Sequence, residues 1–262
     1  MKNKFKLNSS TLLVFILTTG VFGIINTEMG VIGILPLIAE NFQVTVPEAG
    51  WTVSIFALVV AISAPITPLL FSGINRKKVM ILALGLFTLS NIISMMTTNF
   101  TVLLISRALP AFLHPVYVSM AFTVAAASVS KEKAPKAVAK VFIGVSAGMV
   151  LGVPVTSYIA SEVSYSMSML FFTVVNALVL VATILFVPSM PVKEKLSYGT
   201  QLSVLKKKVV WYSILAITLI NGALFGFFSY MSDYLKTITG VSYTVISTML
   251  LILSLIHISE PT

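Results

Sequence analysis

The stretch of sequence that decides the fold runs from Thr11 to Ala39 and is TLLVFILTTGVFGIINTEMGVIGILPLIA. Glu28 is its only charged residue, and it is longer than the roughly 20 apolar residues that cross a bilayer. A secretory signal peptide has an apolar region of only about 7 to 15 residues. We therefore interpret this stretch as a retained first membrane span, and as a helix, since a helix satisfies its own backbone in lipid.

The composition of the whole chain agrees with a membrane protein. Of its 262 residues, 57% are hydrophobic and only 10% are charged, and the mean hydropathy is +1.02. A soluble domain of this length carries about a quarter charged residues on its surface. The solvent of this chain is therefore expected to be the lipid bilayer.

The net charge of +9 comes from short basic clusters that lie between long apolar runs. This placement is typical of membrane topology and not of a nucleic-acid surface, so no nucleic acid partner is expected. The absence of cysteine excludes disulfides and thiolate metal sites, and we expect no metal ion and no cofactor. Two histidines and scattered carboxylates also argue against a membrane-embedded enzyme.

Span length and hydropathy predict eight membrane spans in all. With the N-terminus in the cytoplasm, every basic residue except Arg107 and Lys236 falls in a cytoplasmic segment, as the positive-inside rule requires. The predicted spans are 11–39, 49–71, 79–98, 101–127, 137–160, 168–187, 209–231 and 242–258.

The polar segment 188–208 separates two domains, because it carries two prolines, a glycine and five lysines between spans six and seven. We predict a six-helix transmembrane domain over 1–187, a cytoplasmic central loop over 188–208, and the start of a second transmembrane domain over 209–262. The last residues, 254–262, resemble translated sequencing-adapter read-through. We therefore expect a non-native end and an incomplete second half that leaves the chain inactive.

Several motifs together resemble the major facilitator superfamily, specifically its drug:proton antiporter branch and its arabinose-efflux-permease-like members. Three short stretches differ from the pattern. Tyr165-Ser166 stands where a Trp-Arg pair is common, Gly148-Met149 replaces a Gly-Pro pair, and the stretch from Phe71 to Lys78 lacks the acidic residue that usually precedes the basic pair. The motifs, in chain order, are Thr27 to Pro36, Ala64-Pro65, Arg76-Lys77-Lys78, Arg107, Gly144 to Pro154, Phe227 to Tyr230, and Gly240 to Ser242.

The resemblance implies an all-α polytopic bundle, with a six-helix N-terminal half and about two helices of a second half. It implies a monomer in the bacterial cytoplasmic membrane that cycles by alternating access around a midplane cavity. The expected function is outward efflux of a small organic solute, drug-like or sugar-like, by proton antiport. A uniporter of the same fold and a non-transporting receptor or scaffold remain as alternatives.

Three residues are candidates for proton coupling: Glu28, Arg107 and His114. Glu28 is the only acidic residue within the first six spans, and desolvation there favours its protonated form. We expect Arg107 to be its partner, with protonation of Glu28 competing against the pair; snorkelling of Arg107 to the interface is the alternative. His114 can change charge near neutral pH, although a neutral, hydrogen-bonded histidine with a structural role is the more common case.

Substrate contacts are predicted at four residues, which are Asn26, Arg107, Asn221 and Tyr230. Asn26 shares one face of span one with small residues at helical spacing, and that face permits close helix packing. Glu28 points to the opposite face.

A second group of residues is expected to act in conformational change. In span five, glycines at spacings of four permit close approach to another helix, which in the family belongs to the second half. The basic residues after span two are expected to bond to cytoplasmic helix ends. The group comprises Gly73, Arg76, Lys77, Lys78, Gly144, Gly148, Gly152 and Pro154.

Overall fold

The fold is built entirely from helices wherever the chain is described. The computed structural model describes residues 9–192, 207–242, 245–246, 248–250 and 252. Its α-helices are α1 (Ser9–Met29), α2 (Leu35–Phe42), α3 (Val46–Ala49), α4 (Trp51–Ser63), α5 (Thr67–Leu70), α6 (Arg76–Met96), α7 (Phe100–Ala111), α8 (His114–Ala127), α9 (Ala134–Glu162), α10 (Tyr165–Phe186) and α11 (Lys208–Thr239), and two 3-10 helices cover Gly30–Ile34 and Lys131–Lys133. The predicted all-α class is confirmed.

Among the described residues, six helical segments are long and apolar enough to cross a membrane, and they correspond to the first six predicted spans. The seventh predicted span lies in α11, whose apolar part covers Lys208–Leu224. The eighth, 242–258, falls mostly outside the described residues, as do most of the central loop and all of 254–262; the domain boundaries therefore stay a prediction. The six segments are Ser10–Phe42, Val46–Ser63, Arg76–Met96, Phe100–Ala127, Lys131–Glu162 and Tyr165–Phe186.

Spans one and four are each interrupted along their length. Span one changes from α1 to the buried 3-10 helix Gly30–Ile34 directly after Met29. Span four stops at Ala111 and restarts at His114, because Pro115 has no amide hydrogen and its ring cannot follow a continuous helix. Arg107 and His114 thus lie on two separate helices.

The glycines of α9 bring that helix into close contact with α1. A methyl group added at Gly148 would lie 2.8 Å from the side chain of Ile25, and one added at Gly152 would lie 3.2 Å from Asn26. One added at Gly144 would collide with the backbone carbonyl of Thr18. The expectation that this face packs against the second half is therefore wrong, since it packs against span one of the same half.

The 3-10 helix of span one continues this contact from the other side. Gly30 faces the hydroxyl of Thr156, and Gly33 faces Ser157, whose hydroxyl donates a hydrogen bond to the Gly33 carbonyl at 3.1 Å. Pro154 lies within α9, which stays continuous to Glu162. Small residues from both helices therefore hold α1 and α9 together along their length.

Both ends of α6 are tied to α10. At one end the Lys77 ammonium donates to the Ile184 carbonyl in the last turn of α10 at 2.8 Å. At the other end the hydroxyls of Tyr165 and Ser166 donate to the Ser94 and Met95 carbonyls at 3.3 and 3.4 Å. These bonds satisfy carbonyls that a helix leaves without partners in its last turn.

The basic residues after span two were expected in a loop, but they form the first turn of α6. Asn75 caps this helix, its side-chain oxygen accepting from the Lys77 amide at 3.0 Å. Gly73 precedes this cap and lies in the exposed turn between α5 and α6. The expected bond to a cytoplasmic helix end is present for Lys77 alone among the three, as far as the described residues show.

Candidate proton and solute site

Arg107 is buried in the interior of the helix bundle, with only 4% of its surface exposed. Its guanidinium donates three hydrogen bonds, all to backbone carbonyls: to Thr27 at 2.8 Å, to Glu28 at 3.3 Å and to Thr52 at 3.2 Å. The ring of Phe56 covers it at 5.1 Å from the guanidinium carbon. The alternative in which Arg107 snorkels to the interface is therefore wrong for this conformation.

The break in span one explains why carbonyls are available to Arg107. The last four carbonyls of an α-helix have no partner within the helix, and α1 ends at Met29. Thr27 and Glu28 supply two of these carbonyls. A cation is also favoured at the C-terminus of a helix, where the backbone dipoles leave a partial negative charge. Arg107 therefore stabilises the end of α1 and fixes it to α4.

The Glu28 carboxylate has a different partner, His114. Its Oε2 lies 3.1 Å from His114 Nε2, and the two side chains are 20% and 12% exposed. The contact is within ion-pair distance, but it is not aligned as a hydrogen bond, since neither imidazole nitrogen has such a partner among the described residues. The expected side-chain pair of Glu28 with Arg107 is thus not formed; Arg107 binds the backbone of Glu28 instead.

Phe56 separates the two charged groups. Its ring covers the Arg107 guanidinium and also contacts the His114 ring edge to face, with centroids 5.8 Å apart and planes at 77°. The helix breaks place both members of the pair at helix ends, because Glu28 is the second-last residue of α1 and His114 is the first of α8. The helix breaks in spans one and four thus bring Glu28 and His114 together.

A polar cluster lies next to the site, around the side chain of Thr27. The amide of Asn176 in α10 donates to the Thr27 hydroxyl oxygen at 2.9 Å, and the amide of Asn91 in α6 approaches it at 3.4 Å. The Thr27 hydroxyl itself donates to the Gly23 carbonyl at 2.9 Å. Thr27 therefore connects three spans next to the Arg107 bonds.

The other predicted substrate contacts are not brought together with Glu28. Asn26 is fully buried against Gly152 of α9, and neither end of its amide has a hydrogen-bond partner among the described residues; it cannot reach a solute in this conformation. Tyr230 is 45% exposed on α11, and its hydroxyl approaches Gly50. Asn221 lies in α11, and its side chain is outside the description.

Several residues of the site were not predicted from the sequence. Asn91 and Asn176 carried a usable signal, because an amide in the middle of an apolar span is expensive unless it has a partner. Phe56 and the carbonyl of Thr52 carried none, because an aromatic residue and a backbone group in an apolar helix look the same whether or not they contact a charge.

Comparison with known proteins identifies the family. Residues 12–259 match the profile described as Major Facilitator Superfamily. The chain belongs to the Major Facilitator Superfamily. It is 30% identical over 237 residues to the Inner membrane transport protein YdhP of Escherichia coli strain K12, and 27% identical over 239 residues to the Putative transporter AraJ of the same organism. These alignments cover 90% and 91% of this chain but 61% of each relative.

Solved structures of this superfamily share the fold. A bacterial homologue of the human lysosomal transporter Spinster, crystallised in an inward-facing and unoccupied conformation, superposes with a TM-score of 0.71 at 16% identity, over 96% of this chain and 61% of that one. The human organic anion transporter MFSD10 gives 0.68 at 16% identity, over 94% and 70%. The superfamily consists of membrane transporters and not of enzymes, and this chain is a multi-pass membrane protein.

Proposed function

We propose that this chain belongs to an efflux transporter that moves a small organic solute outward by proton antiport. The observation that carries the proposal is the 3.1 Å contact between the Glu28 carboxylate and the His114 imidazole, in the interior of the spans. These side chains are partly exposed, whereas Arg107 is covered and bound to backbone. Glu28 and His114 can therefore change protonation without breaking the helix contacts around them.

In this mechanism Glu28 is the proton acceptor. When it is ionised, a protonated His114 at ion-pair distance balances its charge in the apolar interior. When it is protonated, the pair loses its attraction, and the solute and the proton use the cavity alternately. Arg107 keeps the end of α1 in place throughout, and it does not compete for the carboxylate.

The rest of the transport cycle stays a set of proposals. Substrate contacts from Asn221 and Tyr230 would come from the second half, and Asn26 would contribute only after α1 and α9 separate. Gly73, Arg76, Lys77 and Lys78 would take part in closing the cytoplasmic side, with Gly144, Gly148, Gly152 and Pro154 on the moving surfaces. A drug-like or sugar-like solute remains the substrate class.

The setting of the transporter is likewise proposed. The relative from Escherichia coli carries the name of an inner membrane transport protein, which supports a bacterial cytoplasmic membrane. The basic clusters support an N-terminus on the cytoplasmic side. Protons are the proposed coupling ion, and a monomer is the proposed state.

Transport in proteoliposomes tests the proposal. The complete gene product would be reconstituted, and efflux of sugars and of cationic dyes measured with and without an imposed pH gradient. Wild-type protein is expected to accelerate efflux when the gradient is imposed, and Glu28→Gln is expected to abolish that acceleration. Glu40→Gln, which changes an exposed carboxylate near the end of the first segment, is the matched control and should behave as wild type.

Three outcomes decide against the proposal. Full gradient-driven efflux by Glu28→Gln would remove Glu28 from proton coupling. Solute movement that ignores the gradient in the wild-type protein would favour a uniporter of the same fold. No movement of any solute would favour a receptor or scaffold.

A further inference from the structure

An apolar groove lies between α4, α6 and α7 on the outside of the helix bundle. It has a volume of about 500 Å³ and is lined by nine side chains, every one of them apolar. This volume is within the roughly 300 to 1,000 Å³ that small-molecule sites occupy. A lining without polar side chains favours apolar ligands such as hydrocarbon chains.

The groove exists because two neighbouring spans are interrupted beside it. The α4 helix ends at Ser63, and α7 ends at Ala111, so neither helix runs straight past α6. The chain turns inward at the second break, where Phe112 is 41% exposed and Leu113 only 4%. The groove thus runs from the outer face of the bundle to the residue that precedes His114.

The mouth of the groove faces the bilayer. Leu82 of α6 is 51% exposed, and Ile105 and Leu109 of α7 are 54% and 48% exposed, all within helices that span the membrane. Lipid is the solvent at these positions, and a lipid acyl chain is the hydrocarbon that is always present there. The groove is therefore in contact with acyl chains, whatever else the protein binds.

A basic group lies directly above the groove on the same helix. Lys78, Leu82 and Leu86 are spaced by four residues and share one face of α6. Lys78 lies only about 6 Å along the axis from Leu82, at 1.5 Å per residue. Lys78 is exposed, whereas the neighbouring Lys77 is bonded to the Ile184 carbonyl. A cation thus lies at headgroup height over a hydrocarbon site.

We propose that this groove is a binding site for one anionic phospholipid, with an acyl chain between α6 and α7 and its phosphate against Lys78. The apolar lining accommodates the acyl chain, and Lys78 attracts the negatively charged headgroup. The site is independent of the proton pair, so it stands whether or not the transport proposal holds.

Photochemical cross-linking of lipid to the purified chain tests this site. The chain would be placed in vesicles of phosphatidylethanolamine that contain a trace of phosphatidylglycerol with a diazirine on its acyl chain, and cross-linked peptides mapped by mass spectrometry. Cross-links are expected to concentrate on the peptides that carry Leu82 and Leu109. Ala108→Trp, which fills the groove, should reduce them to the level of other lipid-facing positions, whereas Val181→Trp on exposed α10 should not.

The headgroup is tested by Lys78→Gln. Loss of one lysine near an anionic headgroup is expected to lower the cross-linking yield about fivefold. Lys136→Gln, in a different basic cluster, is the matched control. Wild-type cross-links spread evenly over α6, α7 and α10 would overturn the site, even if the tryptophan variant failed to fold. Equal yields with phosphatidylcholine carrying the same chain would overturn the assignment of an anionic lipid.

Discussion

Arg107 and the Glu28–His114 pair lie on either side of Phe56, yet the protein accommodates them in opposite ways. Arg107 is 4% exposed and has three backbone carbonyls as partners. Glu28 and His114 are 20% and 12% exposed, and their main polar contact is with each other. Arg107 is held by main-chain carbonyls, which do not change protonation. The contact between Glu28 and His114 depends on two side chains that can.

The difference separates a structural charge from a charge that can change. A guanidinium is charged at any relevant pH and presents donors in a rigid planar arrangement, so it suits a permanent bond to carbonyls. A carboxylate and an imidazole each have a charged and a neutral form, so their charge can change with protonation. The two sites should therefore respond differently to substitution, the first in stability and the second in coupling.

The largest effect is expected from Arg107→Ala. This change leaves three buried carbonyls without their donor, and each unsatisfied buried group costs about 1 to 3 kcal/mol. We expect the free energy of unfolding of the purified chain in detergent to fall by about 3 kcal/mol or more. Arg107→Lys should recover only a small part, because one ammonium cannot reproduce the planar set of donors.

Glu28→Gln provides the control for that measurement. Glutamine has nearly the same shape as glutamate, and the backbone carbonyl of Glu28 that binds Arg107 is retained. Its loss of stability should stay below about 1 kcal/mol, like that of an ordinary substitution. If Arg107→Ala were as mild as Glu28→Gln, the two sites would not differ in the way proposed.

A smaller effect is expected where α9 fixes α1, the helix that supplies carbonyls to one site and the carboxylate to the other. Gly144→Ala places a methyl group against the Thr18 backbone, and overpacking of this kind costs about 1 to 3 kcal/mol. Gly85→Ala is the matched control, since nothing lies within 4 Å of its added methyl group. Thermal unfolding should show a lower midpoint for the first variant only; equal midpoints would contradict the close contact.

The sequence allowed the spans to be predicted but not all of their interruptions. The six apolar stretches were long, separated by charged or polar residues and free of competing patterns, so length and hydropathy were enough. The break after Met29 was not predicted, although glycines at positions 30 and 33 weaken a helix there. Nothing in the sequence shows that α9 packs on span one, because a glycine stripe identifies a close contact and not its partner.

The prediction that Arg107 pairs with the Glu28 side chain was wrong for a related reason. Counting charges within the spans suggested Glu28, since opposite charges in lipid usually pair. The carbonyls exposed by a helix break are equally good acceptors, and they appear in a sequence analysis only after the break has been located. His114 was identified as a candidate but not as the partner of Glu28. The sequence shows Pro110 and Pro115, but it does not show at which residue the interrupted helix begins again.

A third measurement addresses the pair itself. A double-mutant cycle of Glu28→Gln and His114→Asn in the purified chain reports how strongly the two side chains interact. Contacting residues typically couple by about 0.5 to 3 kcal/mol, and partial exposure places this pair near the lower end. Arg107→Lys combined with Glu28→Gln should give no more than about 0.5 kcal/mol, as for independent groups. A larger coupling to Arg107 than to His114 would restore the pair that the sequence suggested.

The smallest effect on stability is expected at Glu48, whose carboxylate is exposed. Glu48 accepts hydrogen bonds from the Thr45 amide at 2.7 Å and from the Thr45 hydroxyl at 2.8 Å. These bonds at the start of α3 are made to the ionised carboxylate. Protonation of the carboxylate in acid removes an acceptor, so the stability that these bonds add is present at neutral pH and is lost in strong acid.

Thr45→Ala should therefore lower the thermal midpoint slightly more at neutral pH than in strong acid, where only the bond from the Glu48 amide to the Thr45 hydroxyl is left to lose. Thr45→Ser, which keeps the hydroxyl, should follow the wild type throughout. A difference between Thr45→Ala and wild type that did not depend on pH would mean that the hydroxyl acts only as a cap for the helix. The profile distinguishes a carboxylate whose bonds come from a local cap in water from Glu28, whose surroundings are two helix breaks and a histidine. In the first case protonation changes a few bonds at the surface, and in the second it changes the charge inside the membrane.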